Sequence, residues 1–96
     1  MFRGFLFTGN DLFSRGNVAV GTCALRNNTG GTNNVAVGRG ALYASVGSNN
    51  TALGDAALFC NTTGIRNTAV GTNTLASNTS GICNVAVGSN ALQSNL

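Results

Sequence analysis

Few side chains in this sequence could do chemistry. Of its 96 residues only five arginines and two aspartates carry charge, and there is no His, Lys, Glu, Trp or Pro. General acid–base work would fall to Asp11 and Asp55. These lie in different coils and share no repeat position, so carboxylate-pair glycoside chemistry would have to be assembled between subunits. The three cysteines, Cys23, Cys60 and Cys83, also stand at three different repeat positions. With no histidine and no CxxC spacing they make no zinc site, and an odd, unmatched count makes no disulfide framework. They read as small apolar residues, with a free thiol on a loop as the second reading. The chain is therefore expected to be non-enzymatic, with no cofactor and no metal.

The charge balance is equally uninformative about partners. A net +3 could suggest nucleic acid or an anionic membrane. Arg26, Arg39 and Arg66, however, occupy different positions within their repeats, so stacking aligns no phosphate-binding stripe. They read as scattered solubilising charges, and neither nucleic acid nor membrane insertion is expected. The sequons beginning at Asn27, Asn49, Asn61 and Asn78 follow from the abundance of Asn and Thr and carry no functional weight.

What organises the chain is a repeat. Asn17-Val18-Ala19-Val20-Gly21 returns as Asn34–Gly38, Asn50–Gly54, Asn67–Gly71 and Asn84–Gly88, its asparagines 17, 16, 17 and 17 residues apart. Four residues past each glycine stands a leucine: Leu25, Leu42, Leu58, Leu75 and Leu92. A period this regular is an architectural signature. The five-residue motif alternates and is rich in β-branched residues, so it predicts a strand closed by glycine. A second short strand is predicted over Thr22–Arg26, with Leu25 turned back toward the valines. Stretches such as Asn61-Thr62-Thr63-Gly64 and Asn78-Thr79-Ser80-Gly81 predict turns. The second unit is one residue short at Ala44-Ser45-Val46-Gly47, a deletion that a surface loop absorbs.

The predicted fold is all-β: a parallel β-solenoid of about five 17-residue coils over residues 17–96. Residues 1–16, with Phe2, Phe5, Phe7 and Phe13, read as a degenerate N-terminal coil or cap. No stretch is long enough to cross a membrane as a helix.

Stacking the copies places like on like. The valine positions are expected to face the interior, and Ala19, Ala36, Ala52, Ala69 and Ala86 the outside. Two Val-class residues and one Leu per coil make a thin core. The bare alanine face is therefore expected to pack against other copies around a symmetry axis, as a homotrimer. Asn17, Asn34, Asn50, Asn67 and Asn84 are expected at inward or corner positions, bonded to the backbone of adjacent coils. A simple preference of Asn for the turn before a strand would account for them equally well.

The unit Asn-Val-Ala-Val-Gly-x-x-Ala-Leu resembles the head repeats of YadA-like trimeric autotransporter adhesins. It resembles more closely the repeats of near seventeen residues in phage tail-fibre and bacterial surface proteins, which Asn67-Thr68-Ala69-Val70-Gly71 and Asn61-Thr62-Thr63-Gly64 match directly. The resemblance covers residues 17–96. It implies a left-handed β-roll of three chains, extracellular, on a cell surface or virion. Such a roll would serve as the head or stalk of a fibre and bind a host surface or glycan through the assembled roll. The family's coiled-coil stalk, anchor and chaperone domain have no counterpart in these residues, and Leu96 falls thirteen residues into the fifth repeat, so the sequence reads either as a complete protein or as a piece of a longer fibre. Two other functions fit a solenoid. Exposed strand edges could make it a self-assembling filament subunit. An ice-binding solenoid would need a regular Thr array, whereas the motif Thr occurs only at Thr51 and Thr68.

Overall fold

The computed structural model describes residues 16–27 and 30–93. Apart from Gly16, the expected N-terminal coil or cap lies outside the described residues. The described chain is a β-solenoid. Each repeat contributes one three-residue strand: β1 (Val18–Val20), β2 (Val35–Val37), β3 (Thr51–Leu53), β4 (Thr68–Val70) and β5 (Val85–Val87). The strands form one parallel sheet in chain order, which the chain winds through in about four turns. Their register pairs Ala19 with Ala36, Ala36 with Ala52, Ala52 with Ala69 and Ala69 with Ala86, so the alanines stack in one column.

Glycine ends each strand for two reasons that act together. Gly54 has φ +134°, and a Cβ there would lie 2.6 Å from the carbonyl oxygen of Gly71 in the next coil. Any side chain would be strained by its own backbone and would push the coils apart.

After the glycine the chain forms consecutive reverse turns rather than the predicted second strand. In the third coil the Gly54 carbonyl accepts from the Ala57 amide at 3.2 Å, and the Ala56 carbonyl from the Phe59 amide at 3.2 Å. The third residue of each turn is left-handed: Ala56 at φ 62° and Leu58 at φ 53°. All five repeat leucines share this conformation, with φ between 49° and 54°. A bulky residue there costs about 1–3 kcal/mol. Two things offset that cost. The leucine amide donates across to the next coil, as from Leu58 to the Thr74 carbonyl at 3.0 Å. Its side chain enters the core, where Leu42, Leu58 and Leu75 are fully buried.

The two faces of the strand are the reverse of the expectation. Ala36, Ala52 and Ala69 are completely buried within the single chain, whereas Leu53 is 45% exposed and Val18 40%. The core is the alanine column packed on the leucine column and on Ala41 and Ala57 of the turns. The alanines are thus unavailable to another subunit. The reason is volume: a coil this short encloses so little space that, opposite a leucine, the strand can supply only a methyl group. The repeat itself holds the signal. Alanine never varies at its position, whereas its neighbours change between Val and Thr and between Val and Leu.

Candidate functional site

The repeat asparagines form a ladder through the interior. Asn34 donates through Nδ2 to the Gly47 carbonyl at 2.9 Å and accepts through Oδ1 from the Asn50 amide at 2.9 Å. Asn17 and Asn50 make the same two bonds, to Gly31 and Asn34 and to Gly64 and Asn67. Asn67 repeats them with Gly81 and Asn84. These residues bond the backbone of adjacent coils, the first of the two readings of the sequence. A second ladder, Ser45–Asn61–Asn78, runs beside it three residues beyond each leucine. Asn78 Nδ2 donates to Asn61 Oδ1 at 2.9 Å, and Asn61 Nδ2 to Ser45 Oγ at 3.3 Å. The recurrence of Asn61 and Asn78 could have revealed it, but the Ser at 45 and the missing residue beside it obscure the pattern. Among the described residues every buried side-chain nitrogen and oxygen has a partner. The ladders are closed and satisfied, which makes them a spine rather than a binding site.

The outward sheet face is the first candidate surface. It carries a column of Val18, Val35, Thr51, Thr68 and Val85 and another of Val20, Val37, Leu53, Val70 and Val87, with no charge in either. Every one of these side chains is half-buried or exposed.

The second candidate is a corner where two columns of the turns face each other. The residue after each strand glycine gives Thr22, Arg39 and Asp55, and the residue after each leucine gives Arg26, Tyr43 and Phe59. Arg39 grips Asp55 with two bonds, Nε to Oδ1 at 3.2 Å and Nη2 to Oδ2 at 3.0 Å. The Arg39 hydrogen bond holds the Asp55 carboxyl below its ordinary range, and the same bond raises Arg39. Tyr43 and Phe59 stack with centroids 4.9 Å apart and planes 10° from parallel. The Arg26 guanidinium lies 5.9 Å from the Tyr43 centroid, and its Nη1 contacts Cys23 Sγ at 3.7 Å.

Between the columns is a shallow groove of about 280 Å³, floored by Gly40 and Ala56. Gly40 is left-handed at φ +71°, and a Cβ there would meet the Phe59 ring at 3.3 Å. The described residues include four charged side chains and two aromatic ones, and only Arg66 lies away from this corner. Reading the arginines column by column missed this. Arg26 and Arg39 never share a repeat position, but the turn brings their positions face to face.

Asp11 lies outside the described residues, and Asp55, the one carboxylate side chain among them, is bound to Arg39. Cys23, Cys60 and Cys83 are free thiols. No group of three or more metal-ligating side chains occurs among the described residues, and these contain no helix long and apolar enough to cross a membrane. Comparison with known proteins finds no matching family model, no curated relative and no similar solved structure.

Proposed function

We propose that this chain is a structural and adhesive fibre module, the head or stalk of a surface adhesin or phage tail fibre. In this reading it is an extracellular left-handed β-roll, carried on a cell surface or virion and free of catalysis. Three copies associate, the number the repeat resemblance implies, and the assembled roll meets a host surface or glycan.

The observation that carries the reading is the uncharged outward face of the sheet, apolar except for Thr51 and Thr68. Contiguous exposed apolar surface of this kind marks an interaction site. Its two columns recur in every coil, which suits a partner of the same repeat spacing, and a second copy of the chain has that spacing by construction. Association through this face covers Val37, Leu53 and Val70 and leaves the alanine core untouched.

The test is the mass in solution of wild type and of Leu53→Lys. Wild type should be trimeric. Leu53→Lys should be a folded monomer, because a charge in the centre of an apolar contact must be desolvated without a partner. Growth of the wild type without limit as concentration rises would favour the filament reading instead.

A further inference from the structure

The geometry points to the groove between Tyr43–Phe59 and Arg39–Asp55 as a saccharide-binding site for one pyranose ring without net charge. This extends the adhesive part of the reading above and does not depend on trimerisation.

The groove has two unlike walls. One is aromatic: Phe59 remains 37% exposed. Tyr43 stacks on one face of its ring. The opposite wall is the Arg39–Asp55 pair, whose side chains are 74% and 43% exposed. Paired in one plane, they present guanidinium N–H donors beside carboxylate lone pairs. A pyranose matches both walls at once, with an apolar C–H face and, at right angles to it, hydroxyls that both donate and accept. The volume, about 280 Å³, lies below the range of pockets for drug-sized ligands, which suits a single ring.

Other occupants fit less well. Arg39 is already paired with Asp55, and Arg26, cationic over Tyr43, does not line the groove, so the lining offers an anion no unpaired cation. The Asp55 carboxylate would repel phosphate. A peptide added as a further strand needs an unpaired strand edge, whereas the Gly40 and Ala56 amides of this corner already bond to the Thr22 and Arg39 carbonyls of the preceding coils.

Gly40 stands where the neighbouring coils carry Cys23 and Ala56, and the Phe59 ring leans into the space its missing side chain leaves, which seats the aromatic wall.

The experiment is NMR on the whole chain. Saturation-transfer difference spectra would be recorded with the methyl glycosides of glucose, galactose, mannose and N-acetylglucosamine. Sorbitol serves as an acyclic polyol and methyl glucuronide as an anion. At least one neutral glycoside should receive saturation at its ring C–H protons, and sorbitol should receive none. Amide shifts on titrating that glycoside should centre on Gly40, Tyr43, Asp55 and Phe59. Phe59→Ala and Asp55→Asn should each weaken binding by about tenfold or more. The wild-type shift map locates the site even if Phe59→Ala fails to fold. No transfer to any neutral glycoside, transfer only to the glucuronide, or shifts centred away from this corner would overturn the assignment. The mass of the same sample reads the assembly separately, so the two proposals can fail independently.

Discussion

Asn17, Asn34, Asn50 and Asn67 each serve two coils at once, donating to a loop carbonyl and accepting from the next strand's entry amide. Removing one therefore orphans two buried backbone groups. Asn34→Ala leaves the Gly47 carbonyl and the Asn50 amide without their side-chain partners, at about 1–3 kcal/mol each. Urea unfolding should show a loss of that order, whereas Thr63→Ala, on an exposed loop, should be nearly neutral. A full stability loss for Thr63→Ala and none for Asn34→Ala would refute the ladder's role. The Arg39–Asp55 pair behaves differently because it is exposed, and exposed pairs contribute little to stability. Its sign is nevertheless defined. The Asp55 pKa is lowered in the fold, so any stabilisation is present above the unfolded-state value and is lost as pH falls through the lowered folded value. Asp55→Asn should leave the Tm at neutral pH essentially unchanged. In an NMR titration the Asp55 carboxyl should protonate below the ordinary aspartate range, and Arg39→Gln should return it there.

At the scale of the element, each coil is a three-residue strand, a glycine stop and reverse turns that insert a left-handed leucine into the core. Ala52→Leu would place a branched side chain where the strand has room for a methyl. It should destabilise the single chain by about 1–3 kcal/mol or more, read as a fall in the urea midpoint. Leu58→Ala should cost about 2–5 kcal/mol by emptying the space opposite. On the other face Val35→Thr should fold normally, since Thr51 and Thr68 already occupy that column. Tolerance of Ala52→Leu together with failure of Val35→Thr would reverse the assignment of faces. The coil itself was legible in the sequence because a fixed period forces equivalent residues into register, and β1 to β5 fall on the repeated motif. Which face turns inward was not, because alternation fixes two faces without labelling them, and size alone suggested that valine belongs inside. The turn escaped for a related reason: leucine's local preference argues against φ near +50°, and only the contacts between coils make it favourable. The Asn column was legible as a feature, whereas the aromatic and charged corner was not, since it arises between columns rather than along one.

For the molecule as a whole, the inverted faces change how association has to be explained. The alanine core is sealed within one chain, so a second copy is not needed to bury it. The outer valines and Leu53 are what a partner would cover, and their area, not the core, would drive assembly. A trimer held in this way should dissociate on Leu53→Lys without losing its β-solenoid circular dichroism, whereas in Ala52→Leu the circular dichroism and the assembly should be lost together at a lower urea concentration than in the wild type. Self-association through the outward sheet face, as proposed above, is tested most directly by the mass of the wild-type chain in solution by light scattering. The expected result is close to three times the 9.6 kDa of one chain, constant over a range of concentrations. A well-folded monomer across that range, with Val37, Leu53 and Val70 left in water, would contradict it.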